Sequence, residues 1–454
     1  MNPNIAANQQ RLFLAFLGEL RPHVRRDSSL PRRIKEIFAR HRAIGSRDRK
    51  LYRELVYTYL RFLPWVEPYL DSSPDTAAKI TAWLAPELKP TSHFRAALCA
   101  DWPPVPDGIA DKAAVLTRLL QDQHCPPTGA TSLAGEDSSQ SSSPLERGAQ
   151  RAGCVDQPAG LAPRSPLPAP SFTPSALLPS WFRSHCPAAF VPPHLDAINR
   201  RANVWVRLQC NDRNLVLDEF RAQGWAFTVA EDFPDALCLP PNAEVAASDA
   251  YRRGFVEIQD LGSQMVLAHL APTGRWLDAC AGAGGKTLQL ARLLGSAGRV
   301  DATDIRPKIL EELRDRAKRA RLENIDIVPE PAGDYDGVLV DAPCSGSGTW
   351  RRQPHLRWYV KPETIATFAR TQSEILTSNA PRVKPGGLLV YATCSLSRQE
   401  NHDVVAAFLK AHPPFKAEAP ARSHGGQFDG LGTTLLPGAR DMDGFYVAIL
   451  RRQT

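Results

Sequence analysis

Trp276-Leu277-Asp278-Ala279-Cys280-Ala281-Gly282-Ala283-Gly284-Gly285-Lys286-Thr287 is a short apolar run that breaks into glycines and then opens into a helical pattern. Glycines there let the backbone approach a ligand closely, while the N-terminus of the following helix faces it. From Phe255 onward short apolar runs alternate with helical stretches, the signature of a doubly wound parallel sheet. Strands are expected at 275–280, 299–304, 325–329, 336–342, 387–393 and 444–450. Helices should fill the gaps near 285–295, 307–321, 363–380 and 400–411. The fold class is α/β, with a Rossmann-like sheet.

Two of these runs end in cysteine. Gly337-Val338-Leu339-Val340-Asp341-Ala342-Pro343-Cys344 is one, and Leu388-Leu389-Val390-Tyr391-Ala392-Thr393-Cys394 is the other. Continuous apolar runs read as buried parallel strands, and ligands of open α/β sheets sit outside the carboxyl ends of the strands. Two thiols delivered to that edge, one beside the carboxylate of Asp341, point to covalent chemistry.

Three ligands compete for the glycine loop. A P-loop needs Gly-x-x-x-x-Gly-Lys-[Ser/Thr]; Gly285-Lys286-Thr287 fits its end, but Cys280 stands where its first glycine belongs. A dinucleotide loop needs Gly-x-Gly-x-x-Gly, and Thr287 occupies the third glycine position. A nucleoside cofactor without a pyrophosphate, such as S-adenosyl-L-methionine, fits better. It needs close backbone approach and an acid on the next strand for the ribose hydroxyls. Asp304 supplies that acid, 22 residues after Gly282.

The 454 residues suffice for two or three domains, and 43% hydrophobic with 23% charged is ordinary for a globular protein. No stretch approaches the roughly 20 apolar residues of a membrane span. Met1 to Gln10 lacks a signal-peptide pattern, so a cytoplasmic protein without a membrane partner is expected. The nine cysteines are odd in number and never spaced Cys-x-x-Cys, which disfavours a disulfide framework or a metal site. Of the net charge of +7, residues 1–61 carry 14 Lys+Arg against 5 Asp+Glu, leaving the remainder slightly acidic. A basic head on a near-neutral body suggests a polyanion such as nucleic acid.

Four segments follow from pattern. Residues 1–125 read as an all-α domain, with Leu12, Phe13, Ala15, Phe16 and Leu20 at near-helical spacing. Residues 126–172 are rich in Pro, Ser, Gly and Ala and read as a low-complexity linker or insertion. Residues 173–250 mix strand runs at 204–208 and 226–229 with a helix near 215–223, as in a small α+β, RRM-like module. Residues 251–454 form the catalytic domain.

Leu277-Asp278-Ala279-Cys280-Ala281-Gly282-Ala283-Gly284-Gly285-Lys286-Thr287, Asp341-Ala342-Pro343-Cys344-Ser345-Gly346-Ser347-Gly348 and Tyr391-Ala392-Thr393-Cys394-Ser395 together resemble three signature motifs of the RNA cytosine-5 methyltransferases. Gly254-Phe255-Val256-Glu257-Ile258-Gln259-Asp260-Leu261-Gly262-Ser263-Gln264 resembles that family's lead-in to the catalytic domain. Gly45-Ser46-Arg47-Asp48-Arg49-Lys50-Leu51-Tyr52-Arg53-Glu54-Leu55 is similar to the NusB-like domain of the bacterial RsmB/Sun branch. The likeness covers most of the chain except 126–172.

The chemistry of such an enzyme explains the residue types. Cytosine C5 is too electron-poor to attack a methyl sulfonium until a thiolate adds at C6, and only the thiolate is nucleophilic. Spacing alone cannot rank the two thiols. The resemblance implies Cys394 as nucleophile and Cys344 as the thiol that helps release the adduct. It implies that Asp341 binds the base edge and borders the cofactor, with Lys286 at both sites. Cys280, Ala281, Gly282, Ala283, Gly284, Gly285, Lys286, Asp304 and Asp341 would hold S-adenosyl-L-methionine, and Glu330 stands where a third acidic contact belongs. Ala283 replaces the family's frequent proline. The expected partner is RNA, 16S ribosomal RNA foremost, acted on by a monomer. Trp350-Arg351-Arg352-Gln353-Pro354-His355-Leu356-Arg357-Trp358 is expected to meet it, through arginine on phosphate and tryptophan on splayed bases. The competing class is a non-catalytic RNA-binding or assembly factor that keeps the fold.

Overall fold

The computed structural model describes residues 3–41, 44–121, 172–268, 270–422 and 424–454. Its first part is helical: Pro3–Leu20, Leu30–Arg40, Ser46–Arg61, Pro74–Leu84, Lys89–Leu98 and Ile109–Gln121 are its longer helices. Phe13, Phe16, Leu17, Leu51, Leu55 and Tyr59 meet in its core, as their spacing requires. Of the low-complexity stretch, 126–171 lies outside the described residues. Phe172 is already seated on this core, its ring 5.8 Å from that of Trp65 and stacked on Tyr69.

Four antiparallel strands follow: β1 (Val204–Leu208), β2 (Thr228–Ala230), β3 (Phe233–Leu239) and β4 (Val256–Ile258), in the order β2-β3-β1-β4. The helix Asn214–Ala222 turns Val216, Leu217 and Phe220 onto this sheet. The expected module stops at 250, yet β4 comes from beyond that point. Its pairing with β1 ties the lead-in segment to the small sheet rather than to the larger one.

The larger sheet has nine strands: β5 (Arg275–Asp278), β6 (Arg299–Ala302), β7 (Ile325–Ile327), β8 (Tyr335–Asp341), β9 (Val383–Thr393), β10 (Phe415–Glu418), β11 (Gln427–Phe428), β12 (Thr433–Leu435) and β13 (Phe445–Arg452). The path runs β11-β12-β13-β9-β8-β5-β6-β7, with β10 on the far side of β13. Strands β5 to β9 are parallel, and helices Gly285–Leu294, Pro307–Ala320 and Pro362–Asn379 connect them. The sheet departs from the fully parallel expectation at one edge. Phe445 enters beside the end of β9, so β13 pairs with β9 antiparallel, Tyr446 opposite Thr393. The chain runs from β5 outward to β7 and then returns to lay β8 on the other side of β5. That reversal is a topological switch point, where the strand ends open a crevice for ligands.

The segment 350–358, expected to meet RNA, is largely turned into the protein instead. Trp350, Arg351, His355 and Arg357 are buried. The Arg357 guanidinium donates to the carbonyls of Leu177 and Ile198, to Trp350 O and to Oδ1 of Asn199. Trp358 Nε1 donates to Leu60 O, and Arg61 donates to Arg351 O. Aromatic area and guanidinium donors suit nucleic acid, but they equally suit a joint where helix ends leave main-chain carbonyls unpaired. Here they bolt the helical part to the large sheet. Of the segment's three arginines only Arg352 stays half-exposed, bonded to Asp443. No helix among the described residues is long and apolar enough to cross a membrane.

Candidate functional site

The crevice gathers the ends of β5, β6, β8 and β9. Beyond β5 the glycine loop turns sharply. Gly284 has φ +87°, and a Cβ there would stand 2.1 Å from Leu313 Cδ1, so both conformation and space demand glycine. Its neighbour Gly285 begins the helix Gly285–Leu294 with no outside atom within 4 Å of a would-be Cβ. The first residue of the helix is thus left uncovered on that side, next to the N-terminal N–H groups that suit an anion or a polar ligand.

Asp304, just past β6, accepts the Gly282 N–H at 2.9 Å and is clasped by Arg306, whose side chain reaches both carboxylate oxygens. The Arg306 side chain first, then the backbone N–H groups of Arg306 and Gly282, hold the carboxyl below its usual range. Glu330 is exposed on the loop beyond β7, and no hydrogen bond or ion pair ties it to the glycine loop among the described residues.

Across the crevice, Lys286 reaches back from the helix to Asp341 at the end of β8, Nζ to Oδ2 at 2.9 Å. The ammonium is almost fully buried and also lies 4.9 Å over the Phe445 ring. Beneath this pair, Asp278 is buried, accepting Thr287 Oγ1 at 2.7 Å. Burial pushes its carboxyl up to about 7, and nearby Asp341 adds to the rise. Cys280 is kept a neutral thiol first by burial and then by the carboxylates of Asp278, Asp341 and Asp304.

The two motif cysteines meet. Cys344 Sγ and Cys394 Sγ are 3.3 Å apart on adjacent strand ends, although 50 residues separate them in the chain. The Cys394 neighbour and then burial hold the Cys344 thiol well above its ordinary pKa. The Cys394 carbonyl accepts the Gly348 N–H at 2.9 Å, and a Cβ on Gly348 would strike Gly444 O. The motif glycine thus lets the two loops touch.

Cys344, Cys394, Asp341, Lys286 and the glycine loop therefore stand at the ends of the adjacent strands β5, β8 and β9, with Asp304 just past neighbouring β6. Sequence reasoning passed over Asp278, Arg306 and Phe445 as site residues. A charged residue inside an apolar run was the signal for Asp278. Nothing local marks Phe445, which only sheet pairing brings beside Lys286.

Residues 265–451 match the family described as 16S rRNA methyltransferase RsmB/F. The ribosomal RNA small subunit methyltransferase B of Enterobacter sp. (strain 638) is 37% identical over 295 residues, covering 61% of this chain and 67% of that protein. The chain belongs to the RsmB/F methyltransferase family. The protein of the same name from Vibrio vulnificus (strain YJ016) is 33% identical over 271 residues, covering 57% of this chain and 62% of its own length. The chain thus spans 67% of the Enterobacter protein and less than two thirds, 62%, of the Vibrio vulnificus one. Among solved structures, PH0851 superposes with a TM-score of 0.65 at 20% identity, covering 99% of both chains. NSun6 from Pyrococcus horikoshii, solved with SFG, gives 0.55 at 18% identity, covering 60% of this chain and 97% of its own. At such identity these two speak for the fold alone, a Rossmann-like sheet.

Proposed function

We propose that this RsmB/F member transfers a methyl group from S-adenosylmethionine to C5 of a cytosine in RNA, with 16S ribosomal RNA as substrate. The observation that carries the reading is the thiol pair, 3.3 Å apart beside the Lys286–Asp341 ion pair. A structural cysteine pair would have no need of a lysine, a carboxylate and an open glycine loop around it.

The glycine loop, Asp304 and the Asp341 side of the crevice would hold S-adenosylmethionine, Arg306 yielding the Asp304 carboxylate to the ribose hydroxyls. When bound, that cofactor supplies a methyl sulfonium. Cys394 Sγ, as thiolate, bonds to C6 and pushes its electron pair into the ring, making C5 the nucleophile that takes the methyl group. Asp341, oriented by Lys286, meets the base at N3 as an acid: it gives N3 a proton as the thiolate adds and takes it back as the adduct collapses, so no net charge is left on the ring. A base then takes the C5 proton, the C5–C6 double bond re-forms, and Cys394 leaves as thiolate. Cys344 stands within reach of that sulfur and serves the release. Keeping Cys344 a thiol, as its surroundings do, lets its S–H donate a hydrogen bond to the departing Cys394 thiolate and prevents it from competing for C6. A paired target would have to leave its stack first.

The reading is tested with full-length protein, small-subunit RNA and methyl donor. Cys394→Ala is expected to abolish methyl transfer, and Cys344→Ala to trap a covalent protein–RNA species. A Cys394→Ala protein that still methylates, with no adduct from Cys344→Ala, overturns the assignment. Bisulfite mapping of RNA from a deletion strain identifies the nucleotide; an unchanged map overturns the substrate.

A further inference from the structure

Glu400 is completely buried, and four donors fill its carboxylate. Oε1 accepts the Ser345 N–H at 2.8 Å and Gln372 Nε2 at 3.1 Å. Oε2 accepts Ser345 Oγ at 2.5 Å and Ser395 Oγ at 2.6 Å. Ser345 follows Cys344, and Ser395 follows Cys394. One carboxylate thus grips the residue after each thiol. Gln372 extends the grip, because its Nε2 also donates to Pro343 O, just before Cys344. On the other strand, Tyr391 Oη donates to the Glu400 carbonyl at 2.5 Å.

Burial pushes the Glu400 carboxyl up, while its bonds to Ser345, Ser395 and Gln372 oppose that rise. Bonds to an ionised acceptor are roughly twice as strong as neutral ones, and the shell here is made of donors. A buried carboxylate is costly unless it is fully paired. This one is paired wholly to the two thiol loops and the helix behind them.

We propose that Glu400 is the positioning residue that holds the Cys344 and Cys394 loops in register. It sets the 3.3 Å approach of the two sulfurs without touching either. The register itself does not depend on any reaction, whereas its consequence for turnover rests on the methyltransferase reading.

The register is read chemically in the full-length protein. Diamide takes two electrons and two protons from a thiol pair, becoming a hydrazine and leaving an Sγ–Sγ bond. The rate at which the Cys344–Cys394 bond forms, followed by peptide mapping, reports how often the sulfurs meet. Glu400→Ala should slow it at least tenfold. Glu400→Gln should restore it, because an amide of the same shape accepts from Ser345 N–H and Gln372 while the serine hydroxyls turn to accept from its nitrogen. If Glu400→Ala fails to fold, the Ser345→Ala/Ser395→Ala double variant replaces it, with a slowing of at least threefold expected. With RNA and donor, Glu400→Ala should lose kcat with the KM for the methyl donor unchanged, and Glu400→Gln should recover it. Cross-linking at the wild-type rate in Glu400→Ala, or in the double variant where that one is used, overturns the proposal. Slowed cross-linking in a protein that never methylates RNA leaves the register standing and removes the methyltransferase reading instead.

Discussion

Replacing Arg357 by alanine separates a structural joint from an RNA contact. The side chain is fully buried and serves Asn199 Oδ1 at 2.7 Å and the carbonyls of Leu177, Ile198 and Trp350 at 3.0–3.2 Å, with a longer contact to Arg61 O. Hydrogen bonds from a charged donor contribute about 1.5 kcal/mol each at the low end, so four of them give about 6 kcal/mol gross. Burying the cation offsets roughly half of that, and the depressed Arg357 pKa, set first by burial and then by nearby Arg61, is the sign of this cost. The expected net loss is about 3 kcal/mol, a hundredfold or so in the unfolding equilibrium. Urea titration followed by tryptophan fluorescence, with Trp350 and Trp358 flanking the site, measures it. Filter binding of RNA across a salt series measures the alternative. For a joint, the midpoint falls while the affinity of the folded variant and its salt slope stay put. Stability within about 0.5 kcal/mol of wild type, together with a salt slope shallower by about one, would make Arg357 a phosphate ligand and refute the reasoning.

Two further outcomes follow from the crevice. Asp304→Asn keeps an acceptor but loses the charge facing the donor site, and should weaken S-adenosylmethionine roughly tenfold by calorimetry; an unchanged affinity sinks the role given to Asp304. Asp278 has a folded pKa of about 7 against an ordinary 3.8, so between those values the folded state holds a proton that the unfolded chain has lost. Its contribution therefore falls as pH rises from about 4 to about 7, by an amount on the order of 4 kcal/mol. Asp278→Asn should flatten that decline in urea midpoints measured at pH 5 and 7.5, and a steeper decline in the variant contradicts the assignment.

Much of the catalytic half was legible before any coordinates. Strands β5 to β9 and the helices between them lie within a few residues of their sequence-based positions, because buried parallel strands are written as continuous apolar runs. The departures share one cause. The antiparallel entry of β13, the capture of Val256–Ile258 by β1 and the burial of residues 350–358 all depend on what a segment meets after a long excursion. An arginine-tryptophan run has the same composition whether its donors find phosphates or helix-end carbonyls.

By itself the sequence determined the α/β class, the glycine loop with Asp304 after the next strand, and the delivery of Cys344 and Cys394 to one sheet edge. Those properties reside in short windows, where apolar period and residue type already fix the backbone. Only the tertiary structure decided that the sulfurs touch, that Lys286 closes on Asp341, and that Glu400 ties both thiol loops together. Such contacts join residues dozens of positions apart, and their distances are set by strand order and register, which no local window encodes.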